Sequence, residues 1–166
     1  SEAVLGRLTR LPAESRAFVE QVAVIPARAE PELLDVLQPG WADLAAPAEE
    51  LGVLDVRDGV LAFRHELARQ AVEESLPGGR RIQLNRAVLA VLTARGADAA
   101  RLAHHAREAG DVDGLVRHGL TAGRRAAAAG AHREACELLA PLLEHSARVP
   151  ATDCVDALEL LSREGY

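Results

Sequence analysis

Asp58-Gly59 lies between two short apolar runs, Val53-Leu54-Asp55-Val56 and Val60-Leu61-Ala62-Phe63, in a chain whose other apolar residues recur at helical spacing. A type I′ turn needs positive φ at both central residues, and Asp-Gly meets that demand, so the pattern predicts one tight β-hairpin. Ahead of it, Leu11, Phe18, Val22 and Ile25 fall on one helical stripe, with Pro12 at the first helical position and Ile25-Pro26 at the stop. Glu30-Pro31 opens a short second helix through Leu33, Leu34 and Leu37, which Pro39-Gly40 breaks. A third runs from Trp41 through Leu44, Ala48 and Leu51 to a stop at Gly52. Three helices followed by one tight hairpin is the order of a winged helix, here residues 10–64.

The remainder reads as helix. Leu67, Ala71, Val72 and Leu76 mark one segment, which Pro77-Gly78-Gly79 stops; Leu84, Val88, Val91 and Leu92 mark the next, to Gly96. Leu102, Ala103, Ala106 and Ala109 form a small-residue stripe ended by Gly110, and Asp111 caps a helix carrying Leu115, Val116 and Leu120. Gly130 ends that helix. Ala135, Leu138, Leu139, Leu142 and Leu143 stripe the following one, and a last helix covers Asp153–Arg163. Helices of this length joined by short turns predict antiparallel neighbours, and the pair 112–128 and 131–144 has the size of a tetratricopeptide unit. The fold expected is therefore mostly α, in two parts: a winged-helix domain over 1–76 and an α-helical, tetratricopeptide-like region over 77–166.

Charge and composition exclude several functions. All 19 basic residues are arginine, so a Walker A loop and every Schiff-base mechanism lack their lysine. Aromatic residues make up only 2%, too few for a base-stacking platform. Residues 1–79 carry 14 acids against 7 arginines, whereas residues 80–166 carry 11 against 12. The third helix, which enters the major groove in DNA-reading winged helices, holds Asp43, Glu49 and Glu50 and no arginine, and the Arg57-Asp58 wing is no more basic. Phosphate repulsion predicts no direct nucleic-acid contact. Cys136 and Cys154 form no C-x-x-C pair, and no run is long enough to cross a membrane or to serve as a signal peptide, so a reducing cytoplasmic setting is expected. His104 and His105 are adjacent, so their side chains should diverge by about 100° and not share an ion; no histidine stands in an H-E-x-x-H pattern. No G-x-S-x-G elbow is present. No metal site, no catalytic residue and no enzymatic activity are expected.

The segment Phe63-Arg64-His65-Glu66-Leu67-Ala68-Arg69-Gln70-Ala71-Val72 joins the second strand directly to a helix and puts His65 and Glu66 at the helix start. An imidazole N–H beside the free amides at the positive end of a helix dipole can donate to an anionic oxygen. The alternative is that His65 and Glu66 cap the helix or pair with Arg69.

That segment, with Arg7-Leu8-Thr9-Arg10-Leu11-Pro12, Val22-Ala23-Val24, Glu49-Glu50-Leu51-Gly52-Val53-Leu54, Ser75-Leu76-Pro77 and Arg80-Arg81 in this order, resembles the region following the ATPase core of STAND-class signalling ATPases. It is most similar to the large ATP-binding LuxR-family transcriptional regulators of actinobacteria. Leu102-Ala103-His104-His105-Ala106 with Ala109-Gly110-Asp111, and Ala129-Gly130-Ala131 with Glu134-Ala135, resemble the opening of that family's tetratricopeptide-like array. The resemblance implies a nucleotide-gated switch whose winged helix carries a Met-His-Asp-like motif, the histidine contacting the β-phosphate of bound ADP. His65 matches that histidine; Arg64 stands at the methionine position and Glu66 at the aspartate position. The resemblance further implies ATP or ADP bound by the full-length protein rather than by this segment. Its expected partners are an ATPase domain of the same polypeptide and an inducer or protein partner. Methionine is absent even at position 1, and Glu2–Leu8 reads as the tail of a helix, so an excised middle segment is expected. Apolar surface bared at Glu2–Leu8 and Asp153–Tyr166 would then favour self-association. The other reading is a free-standing helical scaffold for protein–protein interaction.

Overall fold

The computed structural model describes residues 2–164: ten α-helices, one turn of 3-10 helix and one two-stranded antiparallel hairpin. The chain is mostly helical, as its periodicity predicts. It divides into two compact units, residues 1–91 and 92–166. The sequence division falls between 76 and 77, whereas the structure groups residues 77–91 with the first unit.

The first unit contains α1 (Glu2–Leu8), α2 (Ala13–Ala23), α3 (Pro31–Leu37), α4 (Trp41–Glu50), β1 (Leu54–Arg57), β2 (Val60–Phe63), α5 (Glu66–Ser75) and most of α6 (Gly78–Ala94). The α2 stripe is the core: Leu11, Phe18, Val22 and Ile25 are all buried. Leu33, Leu34, Ala45, Ala48, Val53, Leu54 and Leu61 close around it. Asp58 and Gly59 have φ of 52° and 79°, as a type I′ turn requires, and set the register Leu54↔Phe63 to Arg57↔Val60. β2 gains a further partner that the sequence pattern does not announce. Leu61 exchanges both backbone hydrogen bonds with Ala29, at 2.7 and 3.0 Å.

Two boundaries and one helix face depart from expectation. Pro12 is the N-cap of α2, with ψ of 148°, rather than its first helical residue. Gly78-Gly79 open α6 instead of only ending α5. Proline pushes the residue before it into an extended conformation, Leu76 at ψ 136° ends α5, and the Pro77 carbonyl already accepts from Arg81 N–H. Leu67, expected on the apolar stripe of α5, is 79% exposed, and the inward face of α5 is Ala68, Arg69, Ala71 and Val72.

The second unit stacks α7 (Ala99–Glu108), α8 (Val112–Ala128), α9 (His132–Leu143) and α10 (Ala151–Glu164), each packed on the next. Asp98 and Asp111 cap α7 and α8 through their carboxylates, and Gly110 and Gly130 take the positive φ that ends α7 and α8. The predicted α7 stripe is buried at Leu102, Ala103, Ala106 and Ala109, and the α9 stripe at Ala135, Leu139 and Leu142, with Leu138 and Leu143 half-buried. Arg124 ties α8 to α10 through Asp153 at 2.7 Å and Asp156 at 2.9 Å. The two stretches expected to bare apolar surface differ at the described residues. Leu8 is buried and α1 packs on α5, while α10 exposes Val155 and Leu158. Residues 165–166 lie outside the described residues.

Close approach of α8 and α9 depends on two glycines one helical turn apart. A Cβ on Gly119 would stand 3.0 Å from Leu142 Cδ2, and one on Gly123 would stand 2.5 Å from the Cγ and Cδ2 of Leu139, which is fully buried. Gly123→Ala gains about 1 kcal/mol of helix propensity but loses about 2–3 kcal/mol to overpacking, so a net loss of about 1–2 kcal/mol is expected in denaturant unfolding. Gly79→Ala, where nothing lies within 4 Å, is the control and should be neutral or stabilising. A Gly123→Ala protein as stable as the parent would contradict the close-packing account.

Candidate functional site

Only Arg64 and His65 separate β2 from α5. The Arg64 N–H donates to the Val53 carbonyl at 3.0 Å, which extends the hairpin by one bond. On the other side the His65 carbonyl accepts from Ala68 N–H at 2.9 Å and Arg69 N–H at 3.2 Å, which starts the helix. His65 is therefore held from both sides as the N-cap residue, with φ −135° and ψ 128°. Its side chain makes no capping hydrogen bond and is exposed. Among the described residues the amides of Glu66 and Leu67, at the positive end of the α5 dipole, meet no acceptor.

Glu66 and His65 part ways chemically. Both Glu66 carboxylate oxygens accept from Arg69 Nε, at 2.9 and 3.0 Å. Arg69 is 7% exposed, donates through Nη1 to Glu73 at 2.7 Å, and reaches the Ala23 carbonyl at the end of α2. Burial alone would lower the Arg69 pKa, but its hydrogen bonds to Glu66 and Glu73 outweigh burial and raise it. The guanidinium stays charged and takes its counter-charges from its own helix. Glu66 thus serves the scaffold, and the His65 side chain is left exposed. Arg64 and Leu67 flank it, both exposed. The sequence reading names Arg69 only as a pairing option. Its buried bridge between α5 and α2 carries no local signal, because an arginine between two glutamates at i−3 and i+4 looks like a solvated helix face.

The remaining histidine pair is a packing feature. The rings of His104 and His105 do not diverge as an ideal 100° step suggests; they meet edge-on with centroids 4.9 Å apart. His105 is fully buried, and burial first, then the neighbouring His104 and Arg101, push its pKa down to about 3. It is neutral at pH 7. Among the described residues no group of three His, Cys, Asp or Glu side chains could hold a metal ion.

In the second unit a groove follows α7. Two cavities of about 270 and 250 Å³ share Ala100 and Glu134 in their walls. Arg107 and Glu137 line one, Asp98 and Arg125 the other, so both signs of charge are presented along the groove.

Comparison of the chain with protein-family models, curated proteins and solved structures gives no match.

The two roles at the start of α5 separate by mutation. Arg69→Met removes a buried cation from Glu73, whose carboxylate is mostly covered, and from the Ala23 carbonyl; a loss of about 2–4 kcal/mol is expected. His65→Ala removes no capping bond and should change stability by less than about 0.5 kcal/mol. Urea unfolding of both variants checks this, and the reverse ranking would contradict the assignment.

Proposed function

We propose that the chain is a non-enzymatic segment of a signal-transducing, ATP-binding transcriptional regulator of the STAND or large LuxR type, working in the cytoplasm. In this reading the first unit is a winged helix that gates a nucleotide site contributed by an ATPase domain of the same polypeptide. The second unit is a tetratricopeptide-like array that receives an inducer or protein partner. One observation carries the reading: His65, the residue at the switch-motif position, is exposed at the start of α5 next to free helix amides, with the exposed guanidinium of Arg64 as a second donor beside it.

The chemistry required of His65 is modest. Its imidazole N–H donates to a phosphate oxygen of ADP, with the dipole of α5 favouring the same negative charge. Such a bond closes the gate by making the ADP-bound arrangement more stable than the open one, and exchange for ATP or arrival of the inducer releases it. Glu66 does not take part directly; it holds Arg69, which holds the first turn of α5. Acid placement agrees with a gate rather than a DNA reader. α4 presents Asp43, Glu49 and Glu50 and contains no arginine. Among the described residues no helix is long and apolar enough to cross a membrane.

The second reading, a free-standing scaffold that binds a protein partner, is favoured by the groove along α7. The two differ in what His65 does. In the intact regulator, His65→Ala should raise transcriptional output in the absence of inducer about ten- to a hundredfold, the weight of one charge-assisted hydrogen bond. Reporter transcription with and without inducer reads the effect. Unchanged basal output, with partner binding intact, would favour the scaffold instead.

A further inference from the structure

Strand β1 pairs with β2 along one edge, and among the described residues no strand pairs with its other edge. Val56 faces Leu61 across the hairpin, and Leu61 exchanges both its backbone hydrogen bonds with Ala29, on the side of β2 away from β1. In an antiparallel ladder the two residues of such a non-bonded pair point their backbone groups away from each other. The bond from Arg64 N–H to the Val53 carbonyl agrees, since it makes 53, 55 and 57 the positions that bond within the hairpin. The N–H and C=O of Val56 therefore point to the open edge, where among the described residues they make no hydrogen bond to another backbone group. The Val56 side chain is 45% exposed, whereas Leu54, the other residue of β1 with this orientation, is buried. On the opposite face Asp55 and Arg57 form an ion pair at 2.8 Å. Arg57, and to a smaller extent the Val56 N–H, hold the Asp55 carboxyl below the usual carboxylate range, so both charges are present at pH 7. An unpaired edge of this kind, with an exposed valine at its centre, is a template for another strand.

We propose that the free edge of β1 pairs with β1 of a second copy of this chain, antiparallel about a two-fold axis at Val56. Charge order makes the second copy the fitting partner, because Asp55-Val56-Arg57 carries opposite charges on either side of the valine. With Val56 opposite Val56 of the second copy, the two exchange both edge hydrogen bonds and cover each other's side chains. Asp55 then stands opposite Arg57 of the second copy, and Arg57 opposite its Asp55. Both pairs fall at the closely spaced, non-bonded positions where cross-strand side chains interact best. Such reciprocity is what a two-fold interface requires. The neighbouring registers that keep the hydrogen bonds in step set Asp55 against Asp55 or Arg57 against Arg57, like charges directly opposite. A register centred on Leu54 would place a buried residue on the axis and set Asp55 against Val53. The pairing adds two hydrogen bonds and two ion pairs between copies, so the dimer belongs to the small, transient class. It involves neither His65 nor the exposed side chains of α10.

The test is self-association of the full chain at about 0.15 M salt, where long-range repulsion from the net charge of −6 is screened. Sedimentation equilibrium should show a reversible monomer–dimer equilibrium. In the ¹⁵N-labelled chain the concentration-dependent amide shifts should centre on Leu54–Asp58. Arg57→Asp puts like charges at both cross-copy positions and should raise the dimer dissociation constant at least about tenfold. Combining Asp55→Arg with Arg57→Asp swaps the charges but keeps their order complementary about Val56, and should return the constant to within about threefold of the parent. Amide shifts away from the hairpin that match the parent show that both variants remain folded. Three results would each overturn the proposal. They are a parent chain that stays monomeric at about 1 mM, a dimer that Arg57→Asp leaves unchanged, and a double variant that associates no better than the single one.

Discussion

The buried guanidinium of Arg69 is the contact on which the first unit turns. It joins three things that packing alone leaves independent: the Ala23 carbonyl at the end of α2, the first turn of α5 and, through that turn, the outgoing end of the hairpin. A charge so deeply buried is tolerated only when its donors are used, and here they meet two carboxylates and a helix-end carbonyl that already carries partial negative charge. The result is a rigid corner between strand and helix. What that corner displays is the His65 ring, with the helix amides beside it, at a position fixed on both sides by backbone hydrogen bonds. Pre-positioning of this kind favours any contact made there, since a contact that must first be ordered loses part of its bond energy to entropy.

The second unit is built on the opposite principle, with almost no charge inside and closeness of backbones as the organising device. Gly119 and Gly123 let α9 lay Leu139 and Leu142 against α8, and the alanines of α7 do the same on the other side. Small side chains release little apolar surface each, so such a stack relies on many short contacts rather than a few large ones. The ion cluster of Arg124 with Asp153 and Asp156 then anchors α10 at the surface.

The hairpin, the helix count and the second-unit stripes were legible because each rests on local chemistry: positive φ at Asp58-Gly59, caps at Asp98 and Asp111, glycine stops, and apolar residues at helical spacing. His65 was legible for a similar reason, since strand, two-residue link and helix follow one another in the chain. What could not be read was tertiary. Ala29 pairing with Leu61 is a single bridge with no alternating pattern around it. The inward turn of Arg69 and the outward turn of Leu67 reverse what polarity alone suggests, because the α2 carbonyl that draws Arg69 inward is forty-six residues away.

In the proposed reading His65 is the group that meets the nucleotide, and Arg69 holds the helix turn that carries it. The direct measurement is the ADP dissociation constant of the intact regulator and of its His65→Ala variant, by titration calorimetry. A variant that folds like the parent and binds ADP about ten- to a hundredfold more weakly is the outcome the account requires. An unchanged ADP affinity would contradict it, and with it the nucleotide-gating role of the first unit.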